Sequence, residues 1–354
     1  MKKFQLYLLQ DNPKIDESRF FSIYARKYLG NKTNFIPLIN RVIKENKVSF
    51  QSIMELFTGT GVLSFYFASI DKKVVANDLL PLNFVLGRAF MTSFGKVNYK
   101  KLLKAIKKLR SLKGRNGYFT QKYKNKYIPL ELSKKLDASV DFLRNVKNFS
   151  LSEKYYLAAS LILAVEKSSN IDSDYLSLEK LPNKSTTNLG LHPLRILQSN
   201  NVRVYNLDAV KLVKSQYADL SIIDPPFGET DYLDYMNYPE AIIERIFPRL
   251  KKPVRSDFCN PQKVYTSFYK LFHDLRSQYL IFFYSNDGLV KIKDLLSFVK
   301  PMFQCIELYR IIRKKGLHLA HNKPKTDYLI FGQKNKEIYF ASKCGSILSR
   351  NKLK

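Results

Sequence analysis

Four consecutive residues, Asp224-Pro225-Pro226-Phe227, combine groups that could hold a flat base carrying an exocyclic amine. They follow an apolar run at 218–223 that predicts a buried strand. A strand ending here places a carboxylate, free carbonyls and an aromatic ring together at the carboxyl edge of a sheet. The ring can stack on the base while the carboxylate and a carbonyl accept hydrogen bonds from the amine. Prolines suit this task because they fix φ and have no N–H. The alternative interpretation is a strand followed by an ordinary proline turn.

A second motif, Phe57-x-Gly59-x-Gly61, follows another predicted strand and is typical of a nucleotide-binding turn. Glycine lets the backbone approach a ligand closely, and the helix that follows points its amides at that ligand. Asp78, at the end of the next predicted strand, could accept hydrogen bonds from both ribose hydroxyls. The third glycine of the dinucleotide fingerprint is missing, since Ser64 stands there. The turn therefore favours a nucleoside ligand without phosphates, such as S-adenosylmethionine.

Asp208 follows a short predicted strand at 202–205 and could accept from the adenine amine of that ligand. The other interpretation is that it caps the predicted helix after it, and one side chain could do both. Three scattered cysteines and four dispersed histidines show no metal-ligand spacing. They indicate reduced thiols in a cytosolic protein and no metal site.

The chain carries 60 Lys and Arg against 30 Asp and Glu, a net charge of +30. Such an excess repels itself unless a polyanion relieves it, and phosphate backbones are the usual partner. Biased codon usage could raise the lysine content but does not explain so few acidic residues. No apolar run is long enough to span a bilayer, and no long basic amphipathic helix suggests a membrane surface.

The hydrophobic pattern predicts an α/β fold, because a strand–loop–helix–strand unit over 51–78 is the crossover expected in a parallel sheet. We divide the chain into a cofactor-binding half at 20–90, an inserted and mostly helical subdomain at 91–200, and a catalytic half at 201–340. Further helices are predicted within 20–47 and at 98–112, 131–146, 151–168 and 239–250. Further strands are predicted at 279–284 and, as an antiparallel pair, at 303–313 and 327–332.

These motifs, in this order, resemble the N6-adenine DNA methyltransferases of the Dam-like α-group, of the restriction-modification type. The segment 27–39 is similar to that family's opening motif, in which Tyr28 and Lys32 match residues that contact the methionine part of the cofactor. Segments 163–178 and 326–330 are also similar to members of this group. So is the tyrosine-rich run after the tetrapeptide, which contains Tyr232, Tyr235, Tyr238 and Glu240. The sequence departs from the group at Phe227, where Tyr is usual.

The resemblance implies a Rossmann-like methyltransferase sheet with helices on both faces and an inserted DNA-recognition subdomain. It implies transfer of a methyl group from S-adenosylmethionine to N6 of an adenine flipped out of duplex DNA. The reaction would take place at the nucleoid, in prokaryotic cytoplasm, and a cognate restriction endonuclease could act separately. DNA contacts are expected from the basic segments 113–127 and 314–325, through Lys113, Arg115, Lys122, Lys124, Lys126, Lys314, Lys315 and Lys323.

In the expected reaction, Asp224 and the Pro225 carbonyl each accept an N–H of the adenine amine. This draws the nitrogen toward tetrahedral geometry and aims its lone pair at the sulfonium methyl, which is catalysis by positioning and electrostatics. Two alternatives remain open. One is an RNA base methyltransferase that modifies adenine N6 or guanine N2 of ribosomal RNA. The other is a catalytically silent DNA-binding protein with a methyltransferase fold.

Overall fold

A computed structural model of the chain describes residues 4–8, 23, 26–91, 97–123, 125–171, 189–197, 199–312 and 326–334. The strands are β1 (Phe4–Leu8), β2 (Ser52–Glu55), β3 (Lys73–Asn77), β4 (Val202–Tyr205), β5 (Leu220–Ile223), β6 (Tyr279–Ser285), β7 (Cys305–Ile312) and β8 (Thr326–Gln333). The helices are α1 (Ile36–Glu45), α2 (Val62–Ser69), α3 (Pro81–Met91), α4 (Tyr99–Ser111), α5 (Tyr118–Lys122), α6 (Leu130–Asn145), α7 (Leu151–Ser168), α8 (Ala209–Leu212), α9 (Tyr232–Ile246), α10 (Val264–His273) and α11 (Ile292–Val299).

Within these residues the strands form one eight-stranded mixed sheet in the order β1-β7-β8-β6-β5-β2-β3-β4. Strand β2 pairs in parallel with β3 on one side and with β5 on the other. Strand β4 extends the sheet beyond β3, and β6 extends it in the opposite direction beyond β5. Such a switch in winding opens a crevice at the carboxyl ends of the strands, where open α/β sheets bind ligands. The glycine turn follows β2 and Asp224 follows β5, so both reach this crevice.

Each central strand is buried on both faces because alternate side chains enter different hydrophobic cores. Ile53 of β2 and Ile222 of β5 belong to the core shared with α1, α2, α3, α7 and α9. Met54 and Ile223 belong to the core shared with α8, α10 and α11. The predicted α/β class, with helices on both faces of the sheet, is confirmed.

The predicted helices between β3 and β4 form as α4, α6 and α7, within a residue or two of their expected ends. Helix α7 begins with a capping box, in which Ser150 and Glu153 satisfy each other's backbone amides. It packs against α3, and its apolar residues join the same core as the sheet. Helix α7 is thus fixed on the cofactor-binding half through α3, while the boundaries at 91 and 200 stay predictions.

Helix α9 differs from its expected range of 239–250, since it begins at Tyr232. The side chain of Asp231 caps it by accepting from the amide of Leu233, and Pro239 lies inside the helix. This early start matters because it brings the tyrosine-rich run to the sheet edge in helical geometry. The sequence interpretation also did not anticipate β1, α3, α10 and α11. None of the helices in the described ranges is both long and apolar enough to cross a bilayer.

Candidate active site

The glycine turn after β2 has left-handed backbone geometry, with φ of 51° at Gly59 and 79° at Gly61. Glycine adopts this region without the steric penalty that a Cβ brings. Asp78, at the end of β3, accepts a hydrogen bond from the Gly59 amide at 2.8 Å through one oxygen and from the Leu80 amide at 2.9 Å through the other. Burial raises the pKa of Asp78, and these hydrogen bonds oppose that shift. Asp78 therefore holds the turn and also lines the crevice.

The opening motif packs directly on this turn. The Tyr28 ring lies so close to Gly59 that a Cβ there would be 2.8 Å from its Cε1 atom. The same ring stacks on Tyr232 of α9, with centroids 5.4 Å apart. The Lys32 ammonium lies 2.5 Å from a carboxylate oxygen of Asp224 and donates to the Gly30 carbonyl at 2.9 Å. The motif thus links the glycine turn to the tetrapeptide, and its contact with the cofactor stays a prediction.

Sequence reasoning missed the buried Arg26 and its partner Asn83 on α3. Arg26 Nη1 donates to Asn83 Oδ1 at 3.1 Å and to the Gly59 carbonyl at 3.4 Å, and Asn83 Nδ2 donates to the Tyr28 hydroxyl at 3.1 Å. A second guanidinium nitrogen lies 3.7 Å from Glu166 of the inserted helix α7. The only available sequence signal was a basic residue just before the opening motif. This network fixes the Tyr28 ring and one wall of the crevice.

A cavity of about 670 Å³ occupies the crevice, and we call it the cofactor cavity. The sequence-predicted residues that line it are Tyr28, Lys32, Phe57, Gly59, Asp78, Asp224 and Pro226. Gly61 lies one residue beyond the lining residue Thr60 and begins α2. Two further carboxyl groups that line the cavity were not anticipated, those of Glu55 and Asp231. Glu55 could have been found, because it stands at the end of the strand that precedes the glycine turn.

The acidic lining suits a cation. Burial raises the pKa of Glu55 to about 8, and the charges of Asp224 and Asp78 act in the same direction, while hydrogen bonds from Ser64 oppose it. Among the described residues that line this cavity, Lys32 is the one with a basic side chain. Carboxyl groups near a ligand favour positive charge and repel phosphates. S-adenosylmethionine, which carries a sulfonium and an ammonium, fits this lining, and a dinucleotide pyrophosphate does not.

A second cavity, of about 920 Å³, adjoins the first, and we call it the base cavity. Its wall is rich in aromatic rings, namely Phe35, Phe227, Tyr232, Tyr235, Phe283 and Tyr284. Phe227 packs on Tyr284 with centroids 5.6 Å apart and an interplanar angle of 64°. Asp327, of the predicted C-terminal strand, also lines the cavity and was not anticipated. The wall shared with the cofactor cavity consists of Leu29, Gly30, Lys32, Asp224, Pro226 and Tyr232.

Besides Gly61, two predicted catalytic or cofactor residues lie outside both linings, Pro225 and Asp208. Pro225 is buried and lines neither cavity, so the use of its carbonyl remains a prediction. Asp208 caps α8, where its side chain accepts from the Lys211 amide at 3.1 Å. The Asp208 side chain therefore caps α8, as one of its two interpretations predicted, whereas its contact with the cofactor adenine stays a prediction.

Four of the residues expected to contact DNA are described, and all four are exposed: Lys113, Arg115, Lys122 and Lys126. Lys124, Lys314, Lys315 and Lys323 lie outside the described residues. Arg115 forms an ion pair with Asp141, which occupies part of its charge. Lys122 and Lys126 lie over tyrosine rings, with the Lys126 ammonium 5.2 Å from the Tyr127 centroid. Tyr127 in turn stacks on Tyr238 of α9 at 4.3 Å, so this basic segment rests on the helix that lines the base cavity.

The model of the D12 class of N6 adenine-specific DNA methyltransferases matches residues 28–293 of the 354-residue chain. The chain is 27% identical to modification methylase LlaI of Lactococcus lactis subsp. lactis over 301 residues, 77% of this chain and 48% of that protein. It is also 27% identical to modification methylase StsI of Streptococcus sanguinis, covering 77% of this chain and 46% of the relative. Type II methyltransferase M.NlaIII of Neisseria lactamica is 27% identical, over 81% of this chain and 90% of the relative. The chain thus spans about half the length of the first two relatives.

Proposed function

Because this chain belongs to the D12 class of N6 adenine-specific DNA methyltransferases, we propose that it transfers a methyl group from S-adenosylmethionine to N6 of adenine in duplex DNA. One observation carries the proposal: the cofactor cavity and the aromatic base cavity meet at a wall that contains Asp224 and Pro226. A ligand in each cavity would therefore face the other across the catalytic tetrapeptide. This is the arrangement that a direct methyl transfer needs.

Bound S-adenosylmethionine supplies an electrophilic methyl group on a sulfonium. The protein supplies the binding sites for the cofactor and for the base. Asp78 and the glycine turn hold the nucleoside part of S-adenosylmethionine, and Tyr28 and Lys32 enclose the methionine end of this cofactor. A carboxylate has about four lone-pair sites, so Asp224 can accept from an adenine amine while it keeps its contact with the Lys32 ammonium. The fixed negative charge also stabilises the positive charge that develops on the nitrogen as it attacks.

The base must leave the helix before it can enter the base cavity, because N6 is unreachable within stacked DNA. Flipping a base costs a few kcal/mol. Stacking on an aromatic side chain returns about 1–3 kcal/mol, and Phe227 offers such a ring in the base cavity, next in sequence to Pro226 of the shared wall. A chain that modifies genomic DNA would work at the nucleoid of a prokaryotic cytoplasm. The relatives named as modification methylases support a role beside a separate restriction endonuclease.

The decisive experiment follows radioactive methyl groups from S-adenosylmethionine into duplex DNA and into ribosomal RNA, and identifies the modified base. We expect N6-methyladenine in DNA. The Asp224→Ala variant should lose methyl transfer while it still binds S-adenosylmethionine in calorimetry. Glu229→Ala is the matched control, since this exposed carboxylate lies in the same loop but lines neither cavity. Incorporation into RNA alone, or near-normal turnover by Asp224→Ala, would contradict the proposal.

A further inference from the structure

A third cavity, of about 460 Å³, lies between α5, α6 and α9, away from the two cavities of the active site. Three arginines line it, Arg115, Arg144 and Arg245, and we call it the arginine pocket. Arg115 precedes α5, Arg144 lies in the last turn of α6, and Arg245 lies in the last turn of α9. The sequence analysis assigned a DNA contact to Arg115 but gave no role to the other two.

The two carboxylates in the pocket are already engaged. Asp137 accepts from the Phe119 amide at 2.9 Å, from the Thr120 amide at 2.8 Å and from the Thr120 hydroxyl at 2.6 Å. Asp141 pairs with Arg115. In the part of the chain that the structure describes, no ion pair joins Arg144 or Arg245 to a carboxylate. The pocket therefore keeps an excess of positive charge that internal partners do not neutralise.

The orientation of Arg245 suits an oxyanion. Its guanidinium carbon lies 3.2 Å from the centroid of the Tyr118 ring, so the ring covers one face of the guanidinium. Stacking of this kind restricts the planar group and leaves its N–H donors at the edge, where they match two oxygens of a phosphate. The Lys122 ammonium, 2.9 Å from the Tyr118 hydroxyl, adds a further positive charge nearby.

We infer that the arginine pocket binds one phosphate of the DNA backbone beside the target adenine, an inference that rests on the proposed function. Helix α9 sets the distance, because it carries Tyr235 in the wall of the base cavity and Arg245 in the pocket. Ten residues of helix span about 15 Å. Each strand of the duplex carries one phosphate per about 3.4 Å of helix axis, so the bound phosphate lies within roughly five base-pair steps of the flipped base.

The test measures the salt dependence of binding to a short mixed-sequence DNA duplex by fluorescence anisotropy. Arg144→Gln, alone and combined with Arg245→Gln, should reduce the slope of log K against log salt by about 0.9, the value for one phosphate contact. Arg144→Lys should retain most of the slope because it retains the charge. Arg276→Gln is the matched control, since Arg276 is exposed between α10 and β6 and lines none of the three cavities.

An unchanged slope in folded Arg144→Gln protein would overturn the inference, and so would an equal change in Arg276→Gln. A change seen with duplex RNA but not with duplex DNA would also overturn it. Affinity for S-adenosylmethionine should stay at the wild-type value in every variant. Failure of the proposed function is separable: a wild-type protein that methylates no DNA, but whose DNA slope falls in Arg144→Gln, keeps the phosphate site and loses the activity. If instead the wild-type protein methylates DNA and the slope of Arg144→Gln is unchanged, the proposed activity stands and the phosphate site is refuted.

Discussion

The two glycines of the turn after β2 should respond differently to the same substitution. Both have positive φ, so alanine at either position should lower the free energy of unfolding by about 1–2 kcal/mol. Only Gly59→Ala places its methyl group against the active site, 2.8 Å from Cε1 of Tyr28. At Gly61 the nearest atom to a new Cβ is the flexible end of Met91, at 3.3 Å. The pair therefore separates backbone strain from damage to the cofactor cavity.

The size of the binding defect follows from what holds Tyr28. Ordinary contact begins near 3.4 Å, so the ring must retreat from its 2.8 Å position. Retreat strains the stack on Tyr232 and the hydrogen bond from Asn83. An aromatic pair contributes about 0.5–1.5 kcal/mol and a hydrogen bond about 1 kcal/mol. Loss of both corresponds to about 2 kcal/mol, or on the order of 30-fold in the dissociation constant of S-adenosylmethionine.

Calorimetric titration of both variants with S-adenosylmethionine measures the effect on binding, and thermal unfolding without ligand measures the strain. We expect both variants to lose stability, Gly59→Ala more than Gly61→Ala because it also disturbs the contacts of Tyr28, and we expect the large loss of affinity only in Gly59→Ala. Equal affinities for the two variants would refute the argument that the Tyr28 ring forms a wall of the cofactor cavity.

Three further perturbations test other parts of the site. Phe227→Ala should slow single-turnover methylation by roughly tenfold or more through lost base stacking, whereas Phe227→Tyr should stay near wild type; equal rates in the two variants would exclude stacking. Burial raises the pKa of Glu240 to about 8, so the folded state keeps a proton that the unfolded state releases above about pH 4.5, and wild-type stability falls as pH rises through this window. In Glu240→Gln, the free energy of unfolding measured by urea denaturation should therefore depend less steeply on pH between pH 6 and 8, by about 1.4 kcal/mol per pH unit. Replacement of the exposed Glu244 by glutamine should leave the wild-type pH dependence unchanged. Arg255→Gln removes the ion pair to Asp234 that holds residues 254–256 at the cofactor cavity. The affinity for S-adenosylmethionine should therefore fall roughly two- to fivefold at low salt and less at high salt. A loss of affinity that does not depend on salt would contradict this role of the ion pair.

The sequence predicted those parts of the site that are local in the chain. The glycine turn, the tetrapeptide and the strands before them each show a pattern within a few residues, because strand burial and turn geometry are local requirements. Helices α4, α6 and α7 were predictable for the same reason, through apolar residues at helical spacing. The hydrophobic pattern of its own strand was enough to predict that Asp78 stands at the end of a strand. Its bond to the Gly59 amide then follows from the parallel pairing of β2 and β3.

Contacts that depend on tertiary packing left no local pattern. The approach of Lys32 to Asp224 requires the opening motif to cross the sheet edge, and no spacing reports that. Arg26 looked like one basic residue among many, yet burial against Asn83 and Glu166 makes it structural. Glu240 matched a family segment by sequence, but its hydrogen bond to the Leu82 amide depends on how α9 packs against α3. The Asp208 cap, by contrast, was one of two local interpretations and needed no distant partner.

Under the proposed function, electrostatics would keep DNA phosphates out of the reaction centre of this strongly basic chain. The protein has a net charge of +30, yet the carboxyl groups of Asp78, Asp224 and Asp231 all line the cofactor cavity. Phosphates attracted to the basic surface are repelled locally by these carboxyl groups, whereas a cationic methyl donor is attracted to them. A neutral base can pass the aromatic wall of the second cavity without an electrostatic barrier. Replacement of Asp231, which also caps α9, by asparagine should therefore weaken cofactor binding more than DNA binding, because asparagine keeps a capping oxygen and removes the charge.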